Sequence, residues 1–235
     1  MYLDAVSTAQ ILKLRDLFGV TYFVETGTAE GNNAIFYSRL FHHVVSMEID
    51  PVLLERARFR TKDISNIWLW PGYSGHGLAF FKECYEKRWR RVSEGRSPIF
   101  FLDAHSGAKE TWPILDELHA LRGFHDCCII IHDFKVDGLG HLNYDGQSLD
   151  LAYVQKSLNA VNPDFCLYTN FPGATQPRTF DELVKICGMP NEFDLKHMVD
   201  YAWSSERRLR RGILYAVPKP LDDTFNLRRL QWSLD

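Results

Sequence analysis

The sequence predicts an α/β protein built on a doubly wound, mostly parallel seven-stranded sheet with helices on both faces. Three observations carry that expectation. Short β-rich apolar runs alternate with segments of helical periodicity along the chain. The runs at 98–102 (Pro-Ile-Phe-Phe-Leu) and 127–131 (Cys-Cys-Ile-Ile-Ile) are apolar almost throughout, as parallel strands covered on both faces are. Polar residues gather where the runs stop, at Glu25, Glu48, Tyr73, Asp103, His132 and Asp133, which is the end of such a sheet at which ligands bind.

The elements follow in order. Ser7-Thr8-Ala9-Gln10 reads as a capping box opening a helix that Gly19 ends, so residues 1–19 supply a packing helix ahead of the sheet. Residues 20–25 form the first strand, which runs into Glu25-Thr26-Gly27-Thr28-Ala29-Glu30-Gly31 and a helix from about Asn32 to 41. Gly27 suits positive φ where the strand stops, and the missing Cβ of Gly31 lets a ligand approach the backbone. Unpaired N–H groups at the start of the helix favour an anionic or polar ligand. The strand 43–48 closes on Glu48, and Ile49-Asp50-Pro51 opens the next helix with proline in its first turn. Strand 66–71 leads to the turn Gly72-Tyr73-Ser74-Gly75 and a helix over 78–89, whose Phe80, Phe81, Tyr85 and Trp89 read as core.

Strand 98–102 ends in Asp103-Ala104-His105, a helix covers 111–121, and strand 127–131 ends in His132-Asp133-Phe134. Residues 135–150 are rich in glycine, aspartate, asparagine and histidine, and a loop this long in a compact domain is usually functional. His141 and Tyr144 on it read as ordinary loop residues ahead of acceptor-pocket ones. A helix over 149–161, a strand over 164–168, a largely helical stretch over 179–209 broken at Gly188-Met189-Pro190, and a strand over 212–217 complete the alternation. The tail 219–235 is amphipathic, suited either to pack back or to contact a partner. One domain over 1–235 is expected, with 135–210 forming a substrate-side loop and helical insertion.

Composition excludes several classes. A net charge of -3 over 235 residues argues against a surface built for nucleic acid. No apolar run approaches bilayer length, and the first residues lack the unbroken apolar core of an export signal. Cys84, Cys127, Cys128, Cys166 and Cys187 are odd in number, without a C-x-x-C pair, and read as reduced thiols. A cytoplasmic protein with a small-molecule partner, and none in nucleic acid or membrane, is expected. Homo-oligomerisation stays open. The basic run Arg207, Arg208, Arg210, Arg211 reads as a solvated helix end ahead of a grip on an anionic partner.

The turn Glu25-x-Gly27-x-x-x-Gly31 lacks the G-x-G-x-x-G spacing of a dinucleotide fold. In its E/D-x-G-x-x-x-G form it resembles the class I S-adenosylmethionine-dependent methyltransferases, whose fold is Rossmann-like. With Leu102-Asp103-Ala104-His105, Pro113-Ile114-Leu115-Asp116-Glu117-Leu118 and Ile130-Ile131-His132-Asp133, residues 22–134 resemble the macrocin O-methyltransferase and cephalosporin hydroxylase-like branch. The resemblance implies that S-adenosylmethionine lies along Glu25, Thr26, Gly27, Thr28, Gly31 and Asn32 at its amino-acid end. Glu48 falls roughly twenty residues past the glycine turn, where a nucleoside-binding unit places the acid for the ribose hydroxyls; Ile49 adjoins it. Tyr73 stands where the family carries an aspartate for the adenine amino group, so Ser74, a backbone carbonyl or stacking of Tyr73 would serve there, with Asp103 closing the site.

In metal-dependent relatives a carboxylate after the fourth strand and a pair of residues after the fifth hold Mg²⁺, which here implies Asp103, His132 and Asp133. Imidazole among them suits another divalent cation better than Mg²⁺. Methyl transfer needs an aligned acceptor and a proton acceptor. His105 and His132 are the candidate bases, oriented by Asp103 or Asp133 or yielding that role to them. The expected function is O-methylation of a small hydroxylated molecule or sugar. The alternatives are a non-catalytic binding module on the cofactor fold, kept alive by Tyr73 and His132, and a nicotinamide-dependent oxidoreductase, disfavoured by the glycine spacing.

Overall fold

The computed structural model describes residues 5–92, 97–105, 112–144, 146–172 and 211–232. Eight strands form one sheet: β1 (Tyr22–Thr26), β2 (His43–Glu48), β3 (Ile67–Pro71), β4 (Ile99–Leu102), β5 (Cys128–Ile131), β8 (Cys166–Thr169), β9 (Leu214–Val217) and β10 (Arg228–Leu230). The 135–150 loop adds a small hairpin, β6 (Asn143–Tyr144) with β7 (Gln147–Ser148). The sheet order is β3-β2-β1-β4-β5-β9-β8-β10. Pairing is parallel from β3 to β5 and antiparallel at β5–β9, β9–β8 and β8–β10. The doubly wound, Rossmann-like sheet is therefore the one expected, with an eighth strand. That strand comes from the tail, which packs back onto β8.

Side-chain alternation splits the core into two layers. Phe23, Val44, Ile99, Phe101 and Ile130 face α1 (Ala5–Phe18) and α2 (Asn32–Tyr37). Tyr22, Val24, Phe100, Leu102 and Ile129 face α4 (Ser74–Cys84), α6 (Ile114–Ala120) and α7 (Leu151–Val161). On the second face α4 passes through a π-turn at Tyr85–Trp89 into α5 (Arg90–Val92). Of the four aromatic residues expected in the core there, Phe81 and Tyr85 are buried, Trp89 packs partly, and Phe80 is exposed against Trp70.

Helix α1 spans Ala5–Phe18, so Ser7 lies inside it and not at its start as expected. The Gln10 amide instead donates to the Phe225 carbonyl at 2.7 Å and ties the helix to the tail. The helix expected over 179–209, with Arg207, Arg208 and Arg210, lies outside the described residues. The four described cysteines are free thiols. No helix among the described residues is long and apolar enough to cross a membrane.

Strand order reverses between β1 and β4, because the chain leaves β1 toward β2 and β3 and returns to the other side of β1 for β4. The crevice beyond the carboxyl ends of those two strands is the ligand position for a sheet of this topology.

Candidate functional site

At the reversal, the Gly27 and Thr28 N–H groups both donate to the Met47 carbonyl, at 2.9 and 3.1 Å, and curl the chain back over β2. Gly27 has φ +82°, and a Cβ there would stand 2.7 Å from the Asp103 carbonyl oxygen. The glycine thus lets the end of β1 lie against the end of β4. Gly31 follows in the same turn. Its φ is +81°, and a Cβ there would be in ordinary contact with Ala57 of α3 (Pro51–Thr61) at 3.4 Å. The positive φ is what calls for a glycine at this position.

A cavity of about 170 Å³ opens above the turn, lined among others by Gly27, Glu48, Ile49, Leu53, Tyr73, Ser74, Pro113, Asp103 and His105. Glu48 accepts from the Ala29 N–H at 2.7 Å on Oε2 and from the Asp50 N–H at 2.9 Å on Oε1. It therefore fixes both the turn after β1 and the entry to α3. Each carboxylate oxygen retains a lone pair for a hydroxyl donor.

Glu25, Thr26, Thr28 and Asn32 do not line the cavity. Glu25 is fully buried beneath it and accepts from Ser46 Oγ at 2.7 Å. Burial outweighs that bond and one from Asn33, and pushes its carboxyl up to about 8. Thr28 Oγ1 lies 2.5 Å from Ser46 Oγ, and Thr26 Oγ1 accepts from the Asp103 N–H at 3.1 Å. These residues brace the turn from behind.

On the opposite wall the Tyr73 hydroxyl donates to Asp116 Oδ2 at 2.5 Å, and partial burial beside that carboxylate pushes the phenol up to about 12. Neighbouring Ser74 bonds Glu117, a buried acid with no role assigned to it from the sequence. Burial lifts its carboxyl to about 7 despite bonds from Ser74 and Thr26. The signal was present: Glu117 occupies a place in the apolar stripe Ile114, Leu118, Leu121, where a carboxyl needs partners.

At the ends of β4 and β5 the residues singled out by sequence converge. His105 Nε2 lies 3.2 Å from both Asp103 Oδ1 and Asp133 Oδ2. His132 Nδ1 lies 3.0 Å from Asp103 Oδ1 and 3.5 Å from Asp133 Oδ2. Burial opposes charge on all four, but the mutual attraction wins. It holds both carboxyls below their ordinary range, lifts His105 to about 9 and raises His132 well above its usual value. Both histidines are thereby held toward their protonated forms. Asp133 adopts φ +57°, a backbone region that non-glycine residues rarely occupy away from functional or strained sites. Its Oδ1 meets Arg211 Nε at 3.2 Å, so Arg211 belongs to this cluster and not to a solvated helix end.

Donor atoms of Asp103, His105 and Asp133 lie within 4.8 Å of one another and could hold a metal ion. His105 stands in this group where sequence had placed His132. Asp103 Oδ2 is buried and takes no hydrogen bond among the described residues, which leaves a lone pair for a cation. A set of carboxylate oxygens with imidazole nitrogen fits a first-row divalent metal better than Mg²⁺.

No protein-family model matches the chain, and no curated protein matches its sequence. Among solved structures, an O-methyltransferase from Bacillus cereus in complex with SAH is 12% identical, with a TM-score of 0.43 over 92% of this chain and 82% of that one. An rRNA methylase from Streptococcus thermophilus is 14% identical, with a TM-score of 0.43 over 98% of this chain and 99% of that one. The [4+2]-cyclase SpnF is 12% identical, with a TM-score of 0.46 over 92% and 82%. Likenesses this distant carry no argument about chemistry.

Proposed function

We propose that this chain is an S-adenosylmethionine-dependent methyltransferase acting on a hydroxyl of a small molecule or sugar. One observation carries the reading: the Gly27 turn, the Glu48 carboxylate and the Asp103–His105 cluster line a single cavity at the reversal of strand order. The cavity suits that cofactor. Glu48 offers lone pairs for a ribose diol, Ile49, Leu53 and Pro113 offer apolar walls, and the Tyr73 ring offers a stacking face. The bound cofactor would supply a methyl group already carried on a leaving group. What remains for the protein is alignment and removal of a proton.

Asp103 and His105, both in the lining of the cavity, would orient the acceptor hydroxyl. The proton would pass to His105 Nε2 once that nitrogen has lost its own. In the alternative, a divalent cation on Asp103, His105 and Asp133 would polarise the hydroxyl directly, and His105 Nε2 would then be a ligand and not the base. Calorimetric titration with S-adenosylmethionine, its demethylated product and NAD tests the reading. Binding of the first two and a tenfold or greater loss in Glu48→Ala are expected. Binding of NAD alone, or an unchanged affinity in Glu48→Ala, would overturn it.

A further inference from the structure

The backbone at residues 211–213, just ahead of and entering β9, is tied to two other segments. The buried Asn170 side chain donates from Nδ2 to the Arg211 carbonyl at 2.8 Å, and its Oδ1 accepts from the Ile213 N–H at 2.9 Å. Between them Gly212 donates to the Gly140 carbonyl and accepts from the Phe134 N–H, both at 2.8 Å. A Cβ on Gly212 would overlap the Phe134 carbonyl oxygen, so the two segments meet at the closest approach a glycine allows. The effect is to fix one guanidinium beside the residues after β5.

That guanidinium is only partly used. Nε faces Asp133 Oδ1 at 3.2 Å, and no described residue takes the two terminal nitrogens. The order of exposure across the cluster is also informative. The Asp103 and Asp133 side chains are 0% and 5% exposed, whereas Arg211 is 33% exposed. Within the cluster the acids are buried, and the partly exposed groups are His105 and the Arg211 guanidinium. An acceptor entering here meets planar N–H donors of fixed charge, the geometry that pairs with a carboxylate or a phosphate through two parallel bonds.

We infer that Arg211 receives an anionic substituent of the acceptor, a carboxylate or a phosphate, while the acceptor hydroxyl lies toward Asp103 and His105. The inference rests on the methyl-transfer reading for the hydroxyl's role and adds the charge class of the substrate. Asp133 keeps the guanidinium aimed, and Nη1 and Nη2 do the binding.

The test uses the full chain at constant ionic strength, with inorganic phosphate and malonate as separate probes. Phosphate binding is followed by ³¹P line width and malonate binding by ¹³C line width. Wild type is expected to broaden at least one probe saturably. Arg211→Gln should weaken that binding at least tenfold, and Arg211→Lys should retain part of it. The probe that binds more tightly identifies phosphate or carboxylate as the natural group. Because Arg211→Gln removes a partner of Asp133, wild type is also treated with phenylglyoxal and the modification of Arg211 followed by peptide mass spectrometry. Slowing of that modification by the bound anion is expected. Absence of saturable binding in wild type, unchanged binding in a folded Arg211→Gln, or modification of Arg211 indifferent to the anion would each overturn the inference. Calorimetry with the demethylated cofactor on the same samples separates the two failures: its binding with no anion site sinks this inference alone, and an anion site without it sinks the methyl-transfer reading.

Discussion

Ser46 Oγ donates to Glu25 Oε1 at 2.7 Å in a part of the core where Glu25 is fully buried. Burial lifts this carboxyl from 4.5 to about 8, so the folded protein binds a proton that the unfolded chain releases. Stability must then fall as pH rises through the window between those two values, by roughly 1.4 kcal/mol per pH unit for one proton. Glu25→Gln keeps an acceptor for Ser46 and removes the titration. Urea unfolding at pH 5, 6, 7 and 8 should give a variant with a flatter profile that is the more stable protein at pH 8. Parallel profiles would mean that Glu25 is ionised in the fold.

Gly212 and Gly123 separate two reasons for a glycine. Gly123 has φ +74° with open space around it, so alanine there costs only backbone strain, about 1 kcal/mol. Gly212 has no room for a Cβ against the Phe134 carbonyl, and its own N–H and C=O are both bonded. Gly212→Ala should cost about 3 kcal/mol or more, the upper end of overpacking. Denaturant midpoints for the two variants check this; equal losses would show that residues 134 and 212 yield easily.

The sheet was legible in the sequence because its strands are long apolar runs whose period and burial agree, as at 98–102 and 127–131. β10 was not, since Arg228-Arg229-Leu230 is an edge strand with two exposed arginines and no apolar pattern. At the site, Glu48, Asp103, His105, His132 and Asp133 were readable because each lies at the carboxyl end of a strand or within three residues after it. Arg211 and Glu117 were hidden for opposite reasons. Arg211 sat in a basic run whose usual fate is solvent, and its role comes from a contact with Asp133, 78 residues earlier in the chain, that no local pattern records. Glu117 lay in an apolar helix stripe where one acid reads as a flaw in periodicity. Glu25 was recognised as special, but sequence could not say that it supports the turn from below instead of lining it.

The Asp103, His105 and Asp133 donors predict a preference among metals. Mn²⁺ should bind, read by the loss of its free electron paramagnetic resonance signal, and Mg²⁺ should compete poorly because one donor is an imidazole. Asp133→Asn and His105→Ala should each lower Mn²⁺ affinity at least tenfold. His132→Ala should lower it less, because His132 would act on Asp103 and Asp133 without ligating. An equal or larger loss in His132→Ala would return that histidine to the ligand set.

Tyr73 offers a ring to the cavity and a hydroxyl to Asp116, and the two can be removed separately. Tyr73→Phe breaks one hydrogen bond to an exposed carboxylate, which should lower stability by about 1 kcal/mol or less. It leaves the ring against Gly75, so affinity for the demethylated cofactor should stay within about twofold. Tyr73→Ala removes the wall itself and should weaken binding about tenfold, corresponding to roughly 1.4 kcal/mol of lost ring contact. Calorimetry on the pair distinguishes the roles. If phenylalanine costs as much as alanine, the hydroxyl is the contact, and the bond to Asp116 must open when the nucleoside enters.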